Sequence, residues 1–149
     1  MSSTDQLCGR GDGPRAAPRR PAASYVWDYP NAGAPTAPVA PALKAIGVAP
    51  PMPPSPQATA MTALETLWRE AGFGAIATRT ITIPVAFQSF EEFWDSMTQP
   101  VGPGGKAIAQ LSPAERERLR AVLRERVPPG PDGRIVYEAR ANAIKGVKA

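Results

Sequence analysis

The distribution of proline limits the part of this chain that can form a packed core. Twelve of the 19 prolines lie before residue 58, and segments 14–21 and 49–56 have neither helical nor strand periodicity. Because proline lacks a backbone N–H and fixes φ, such segments are typical of extended linkers. The sequence therefore predicts a disordered arm over residues 1–23, a proline-rich linker over residues 30–58, and roughly 90 core-forming residues after them.

Composition excludes several classes of function. The chain has 149 residues, no histidine and one cysteine, Cys8, so it can form neither an internal disulfide nor a histidine-based hydrolase site. The ordinary zinc ligand sets are missing too, so we expect no metal site. The net charge of +4 comes from 17 basic and 13 acidic residues that are interspersed, which predicts no nucleic-acid partner. Without a long apolar run or a leader segment, the sequence predicts a cytoplasmic protein with no membrane span.

The arm contains a segment with the spacing of a glycine-rich nucleotide loop, residues 9–13 (GRGDG). Such a loop follows a buried strand and opens a helix, whereas polar residues precede this segment and prolines follow it. The same arm carries arginines that leave a contact with nucleic acid open, although two acidic residues lie among them. These arginines are Arg10, Arg15, Arg19 and Arg20. The sequence therefore predicts no cofactor-binding residue here.

An aromatic segment, residues 24–29, stands between the arm and the linker. It is rich in β-favouring residues and stops at Pro30. This pattern is typical of a short strand that runs into a loop, and equally of an isolated apolar patch in a disordered arm.

A helix and a strand follow the linker. Residues 60–71 have helical periodicity, and Thr62 with Glu65 matches a capping box at the start. Over residues 76–87 the period changes to two, which predicts a strand. Pro84 cannot donate to a strand ladder, so it places this strand at a sheet edge or a bulge.

Further helices and a last strand complete the pattern. Residues 89–97 follow a serine cap and place three aromatic rings on one helical face, either as core or as the lid of a pocket. The glycine-rich residues 102–105 predict a flexible cover segment. Residues 112–127 begin with a capping box and a proline, which predicts a helix, and residues 134–144 alternate as a strand.

In their order and spacing, these segments resemble the last part of class I S-adenosylmethionine-dependent methyltransferases of the ubiquinone/menaquinone-biosynthesis type. The resemblance covers residues 23–147. It is carried by five segments, which are 23–29 (ASYVWDY), 64–73 (LETLWREAGF), 76–87, 87–94 (FQSFEEFW) and 131–144, which opens with PDGRI.

The resemblance implies an α/β fold. Residues 24–149 would form the C-terminal part of a seven-stranded, Rossmann-like sheet, with strands five to seven and an inserted helical cover over residues 88–127. The sheet order in that family is 3-2-1-4-5-7-6, with the seventh strand antiparallel and the sixth at the edge. The resemblance also implies S-adenosyl-L-methionine as the cofactor, bound over the first four strands, which this sequence lacks.

The resemblance further implies where a small-molecule methyl acceptor would bind. It places the acceptor against the loop after the fifth strand and the inserted segment, and so indicates a pocket or lid formed by Trp27, Asp28, Tyr29, Phe90, Phe93 and Trp94. Asp28 either orients a substrate hydroxyl or caps a turn. No residue is indicated as catalytic, and methyl transfer depends mainly on positioning and desolvation, so the missing histidine is compatible with it.

Two functions are compatible with this sequence. The first is a substrate-side fragment of a methyltransferase that acts on a small molecule and is inactive alone, because the cofactor-binding strands are missing. The alternative is a noncatalytic interaction protein, because a fifth strand without its fourth neighbour has an exposed apolar edge. Such an edge favours a partner chain or self-association.

Overall fold

A computed structural model describes residues 19–148, which form three β-strands and five α-helices. The strands are β1 (Arg20–Trp27), β2 (Phe73–Phe87) and β3 (Ile135–Lys148). The helices are α1 (Val39–Ala45), α2 (Met61–Glu70), α3 (Phe90–Thr98), α4 (Gly102–Ala109) and α5 (Pro113–Arg126). Predictions for residues 1–18, including the disordered arm, the glycine-rich segment 9–13 and Cys8, lie outside the described residues.

The strands form one sheet in the order β1-β3-β2. The last strand lies in the middle and is antiparallel to both neighbours, with Trp27 opposite Ala141 and Phe87 opposite Ile135. β1 and β2 therefore run in the same direction. β2 is an edge strand, and Pro84 lies within it opposite Glu138, which confirms the edge position that this proline predicted.

Helices cover the two faces of the sheet unequally. α2 packs on one face, where Trp68 lies against Gly146 and Thr78 donates a hydrogen bond to Glu65. On the other face the core joins residues of α1, α3, α4 and α5 to Ile135 at the start of β3. This helical layer lies over the end of the sheet where β3 begins, and it positions the cavity described below.

The proline-rich segment contains a helix, so its prediction as extended linker is wrong at α1. Pro41 is the third residue of α1, where a missing N–H costs nothing because the first turn has no intrahelical acceptor for it. Val39, Ala42 and Leu43 are buried in the core. Tertiary burial therefore fixes a helix that the local sequence does not favour.

Strand β1 begins earlier than the sequence predicted. Residues 20–23 were assigned to the disordered arm, but they pair with residues 145–148 of β3. The aromatic segment is thus the end of a strand and not an isolated patch. A long partner strand stabilises residues whose own composition gives no β signal.

The helix starts show which capping signals hold. Ser112 and Glu115 form the expected capping box of α5, and Ser89 caps α3 by accepting from the amide of Glu92. The box predicted for α2 is wrong, because Ala60 occupies the N-cap and Thr62 lies inside the first turn.

None of the helices in the described part of the chain has the length and apolar character needed to cross a lipid bilayer.

The segment predicted as two helices joined by a flexible cover contains three helices. Residues 102–105 form the start of α4, and Gly105 is buried. A Cβ at Gly105 would stand 1.8 Å from the carbonyl oxygen of Gln99, so glycine is needed for α4 to approach the end of α3. The glycine content therefore reflects close packing, and the prediction of a flexible segment is corrected to a helix.

Acid should weaken the contact between α3 and α5. Glu91 accepts from Arg124 at 2.8 Å, and a hydrogen bond with its own backbone amide, followed by Arg124, lowers its pKa below 4.5. A carboxylate with a lowered folded pKa stabilises the fold above its unfolded pKa, and this contribution is lost as pH falls through the folded pKa. We expect the melting temperature to fall between about pH 5 and pH 3, and less steeply in Glu91→Gln.

The matched control for this prediction is Glu125→Gln. Glu125 is exposed on α5 and has no ion-pair partner among residues 19–148. The melting temperatures of the unsubstituted chain, Glu91→Gln and Glu125→Gln, measured across this pH range, test the prediction. Parallel acid curves for Glu91→Gln and the unsubstituted protein would contradict the assignment.

Candidate functional site

A cavity of about 400 Å³ lies where the end of β1 meets the α3–α4 connection. Its wall combines the residues after β1 with the end of α3 and the start of α4. The lining residues are Trp27, Tyr29, Ser96, Met97 and Gln99 with segments 34–36 and 101–105. A space of this size is in the range of small-molecule sites.

The chain leaves β1 through a tight turn that aims Tyr29 at the cavity. Tyr29 begins a 3-10 turn, and its backbone N–H donates to the hydroxyl of Thr59 at 3.2 Å. The Thr59 hydroxyl in turn donates to the carbonyl of Pro56 at 2.7 Å. Tyr29 also borders a smaller cavity of about 110 Å³, whose wall includes Leu43 and Pro51. Tyr29 is therefore held between two cavities by a fixed backbone.

Asp28 holds the turn and does not line either cavity. Both carboxylate oxygens accept from the side-chain amide of Asn31, at 3.1 and 3.0 Å, and Arg140 of β3 lies 3.5 Å away. The Asp28 carbonyl accepts from Gly33, and the side chain is only 7% exposed. Of the two roles left open for Asp28, this geometry favours the capped turn.

Gly33 brings the turn against β3. Its N–H donates to the Asp28 carbonyl at 2.8 Å and its carbonyl accepts from the Arg140 N–H at 2.7 Å. A Cβ at this position would lie 2.4 Å from the Arg140 carbonyl. Only glycine allows this approach, which sets the position of the cavity wall that follows at residues 34–36.

Tyr137 supports the same wall from β3. Its hydroxyl donates to the carbonyl of Pro35 at 2.6 Å, and burial raises its pKa to about 12. The phenol is therefore neutral at physiological pH and acts as a hydrogen-bond donor. Its ring packs edge-on against Phe93, at a centroid distance of 6.4 Å.

The three aromatic residues of α3 lie in the core. Phe90, Phe93 and Trp94 are 2, 0 and 7% exposed. The guanidinium groups of α5 stack on two of these rings, with Arg124 4.4 Å from the centre of Phe90 and Arg116 5.5 Å from that of Trp94. These contacts fasten α3 to α5, as expected for cation–π pairs.

The structure thus brings two of the six sequence-predicted residues into the cavity wall. Trp27 and Tyr29 line it, whereas Asp28 holds the turn and the α3 rings pack behind the wall. Sequence reasoning missed Met97, Gln99 and Val101, which lie where α3 ends and α4 begins. The signal in the sequence was a large apolar residue, Val101, directly before the glycine-rich segment, and in the structure this residue is 79% exposed.

The wall of the cavity combines apolar surface with a few uncharged polar groups. None of the lining residues is charged, and the polar groups are the hydroxyls of Tyr29, Thr36 and Ser96 and the amide of Gln99. Residues 19–148 contain no cluster of carboxylate and thiol side chains that would hold a metal ion. The wall can orient a ligand by hydrogen bonds and apolar contact, but it supplies no acid or base of ordinary strength.

The chain matches no model of a protein family and no curated protein.

Proposed function

We propose that this chain is the substrate-side, C-terminal part of a class I S-adenosylmethionine-dependent methyltransferase, and that its cavity binds the small-molecule methyl acceptor. The observation that carries the proposal is the strand order. The last strand, β3, lies between β1 and β2 and runs against both. By resemblance, strands five, seven and six of that family have the same order and the same directions, and this agreement supports the proposal.

The position of the cavity supports the same proposal. It lies beyond the carboxyl end of β1, where open α/β sheets bind their ligands. Its walls come from the turn after β1 and from the helices inserted between β2 and β3, which are the two segments expected to contact the acceptor. Methyl transfer depends mainly on positioning, and the wall offers hydrogen-bonding groups and apolar contacts that can position an acceptor.

The described residues do not fit the cofactor. The wall contains no carboxylate to hold a ribose, and Asp28, which lies outside the wall, is engaged by Asn31 and Arg140. The proposed role of this chain is therefore acceptor binding, and the S-adenosyl-L-methionine site belongs to other residues or to a partner polypeptide. The chain alone is then inactive.

A second candidate is a noncatalytic interaction protein that uses the edge of β1. Within the described part of the chain, β1 pairs only with β3, so its other edge is unpaired. Tyr25 on this strand is 76% exposed. Unpaired strand edges add strands from partners or from second copies.

Titration of S-adenosylhomocysteine into the purified chain separates these functions. A thermal melt first establishes that the sample is folded, and sedimentation velocity on the same sample reports self-association. The methyltransferase proposal predicts a folded monomer that does not bind S-adenosylhomocysteine alone. A chain that forms a stable dimer favours the interaction protein.

The positive arm of this experiment is a graft. Residues 19–148 replace the matching C-terminal part of a methyltransferase of the ubiquinone/menaquinone type. We expect the graft to fold and to bind S-adenosylhomocysteine with a Kd of about 1 to 100 µM. The host without its C-terminal part is the control. Binding by the isolated chain, or a folded graft that does not bind, would contradict the proposal.

A further inference from the structure

We propose that the uncovered part of the sheet binds an acidic amphipathic helix of a partner protein. This surface, the bare face, consists of Ala23, Tyr25, Ala77, Arg79, Ala143 and Lys145. It lies on the same side of the sheet as the helical layer but beyond the end of that layer. The inference does not depend on the proposed function.

The register places these six side chains together. Ala77 lies opposite Lys145, Arg79 lies opposite Ala143, and Tyr25 lies opposite Ala143 from the other side. Directly opposed residues of antiparallel strands project from the same face. They border a depression of about 370 Å³, and a second one of about 410 Å³ adjoins it near Pro21 and Val147. The bare face is therefore a trough three strands wide.

The floor of the trough fits a helix. Ala143 on the central strand is small and lies between Tyr25, which is 76% exposed, and Arg79, so a helix can approach β3 there. Ala23 and Ala77 flank Lys145 in the next row and leave room for its side chain to reach a partner. The side of an antiparallel sheet that faces solvent usually carries polar residues. The bare face instead has alanines at three of its six positions. The opposite face at this position is already covered by α2.

The charges on the bare face identify the partner's chemistry. Arg79 and Lys145 come from neighbouring strands, and neither has an ion-pair partner among residues 19–148. The strand segments 20–27, 73–81 and 141–148 contain no Asp or Glu. A partner with an apolar stripe and carboxylates beside it would therefore meet complementary charges on β2 and on the central strand β3.

The same charges disfavour the other occupants. Two copies of this chain placed face to face would oppose Arg79 and Lys145 with cations. Residues 1–18 contain two acids and two arginines, with Leu7 and Met1 as their large aliphatic residues, so they cannot supply an acidic amphipathic helix. A single aromatic side chain, Tyr25, provides too little stacking surface for a nucleic-acid strand.

The test uses two synthetic peptides of about 18 residues with the same leucine stripe and either glutamates or lysines on the remaining face. Fluorescence anisotropy measures their binding to the full chain and to the double variant Arg79→Glu/Lys145→Glu. We expect the chain to prefer the glutamate peptide by at least about tenfold and the double variant to reverse this preference. The control Arg126→Glu, on exposed α5, should bind like the unsubstituted chain.

Four results overturn the inference. Equal affinity for both peptides would show that apolar contact alone binds them, and binding of neither would show that the face is not a helix site or that residues 1–18 cover it. Tighter binding of a fluorescent single-stranded oligonucleotide would assign the face to nucleic acid. Loss of peptide binding on dimerisation at high concentration would assign it to a second copy. Circular dichroism of both variants ensures that each is folded.

Discussion

Replacing Gly105 by alanine should lower the melting temperature by about 10 °C, which corresponds to a loss of about 3 kcal/mol in the free energy of unfolding. The new Cβ would stand 1.8 Å from the carbonyl oxygen of Gln99 and 3.0 Å from its carbonyl carbon. Both are backbone atoms, so no flexible side chain can move aside. α4 must therefore separate from the end of α3, and the cavity between them opens.

Gly104→Ala is the matched control for this prediction. Gly104 is the preceding residue of the same helix, and a Cβ there meets nothing within 4 Å. Because alanine has the higher helix propensity, this variant should be as stable as the unsubstituted chain or more stable by about 0.5 to 1 kcal/mol. Thermal unfolding followed by circular dichroism measures both. Equal stability of the two variants would mean that α4 does not pack as described.

The parts of the fold that local chemistry determines were predictable from the sequence. Ser112, Pro113 and Glu115 satisfy the open amides at the start of α5 within four residues, so no tertiary contact is needed to fix that start. Pro84 likewise limits the position of its strand without any tertiary contact, because a residue that has no backbone N–H cannot donate to a strand ladder and is tolerated at a sheet edge. Signals of this kind predicted the three strands and α2, α3 and α5, but neither α1 nor α4.

The parts that tertiary contact determines were not predictable. α1 contains a proline and little local helix signal, and burial of Leu43 stabilises it. The glycines of α4 resemble a flexible segment until the Gln99 carbonyl above Gly105 is known. Glu91 pairs with Arg124 of another helix, 33 residues away in the sequence. In each case the deciding contact comes from outside the element that it fixes.

In the candidate site, too, one wall was predictable from the sequence and the other was not. The turn after β1 was predicted to form one wall, and Trp27 and Tyr29 lie there because β1 ends at Trp27 and the turn follows directly. The aromatic helix was predicted to form the other wall, but a helix has two faces, and spacing alone does not say which one meets the core. The rings of α3 meet α5, so the cavity is left with Met97 and Gln99 from the last turn and the residues after it.

Removing the carboxylate of Asp28 should cost about 2 to 3 kcal/mol of unfolding free energy, the second largest effect that we expect. The carboxylate accepts twice from Asn31 and lies 3.5 Å from Arg140, whose side chain is 44% exposed. Its loss in Asp28→Ala leaves the Asn31 amide and the half-buried guanidinium without their acceptor. Solvent around Arg140 reduces this cost below that of a fully buried pair. The turn that carries Tyr29 should then loosen.

Asp28→Asn decides between a structural and a ligand-binding role. Asparagine retains one carbonyl oxygen for Asn31 but loses the charge beside Arg140, so we expect a cost of about 1 kcal/mol, between that of Asp28→Ala and none. Asp95→Ala, an exposed aspartate on α3, is the control and should change stability by less than about 0.5 kcal/mol. Urea unfolding measures all three variants. If both Asp28 variants were as stable as the control, the carboxylate would be free to act on a ligand, and the turn would owe its shape to Gly33 alone.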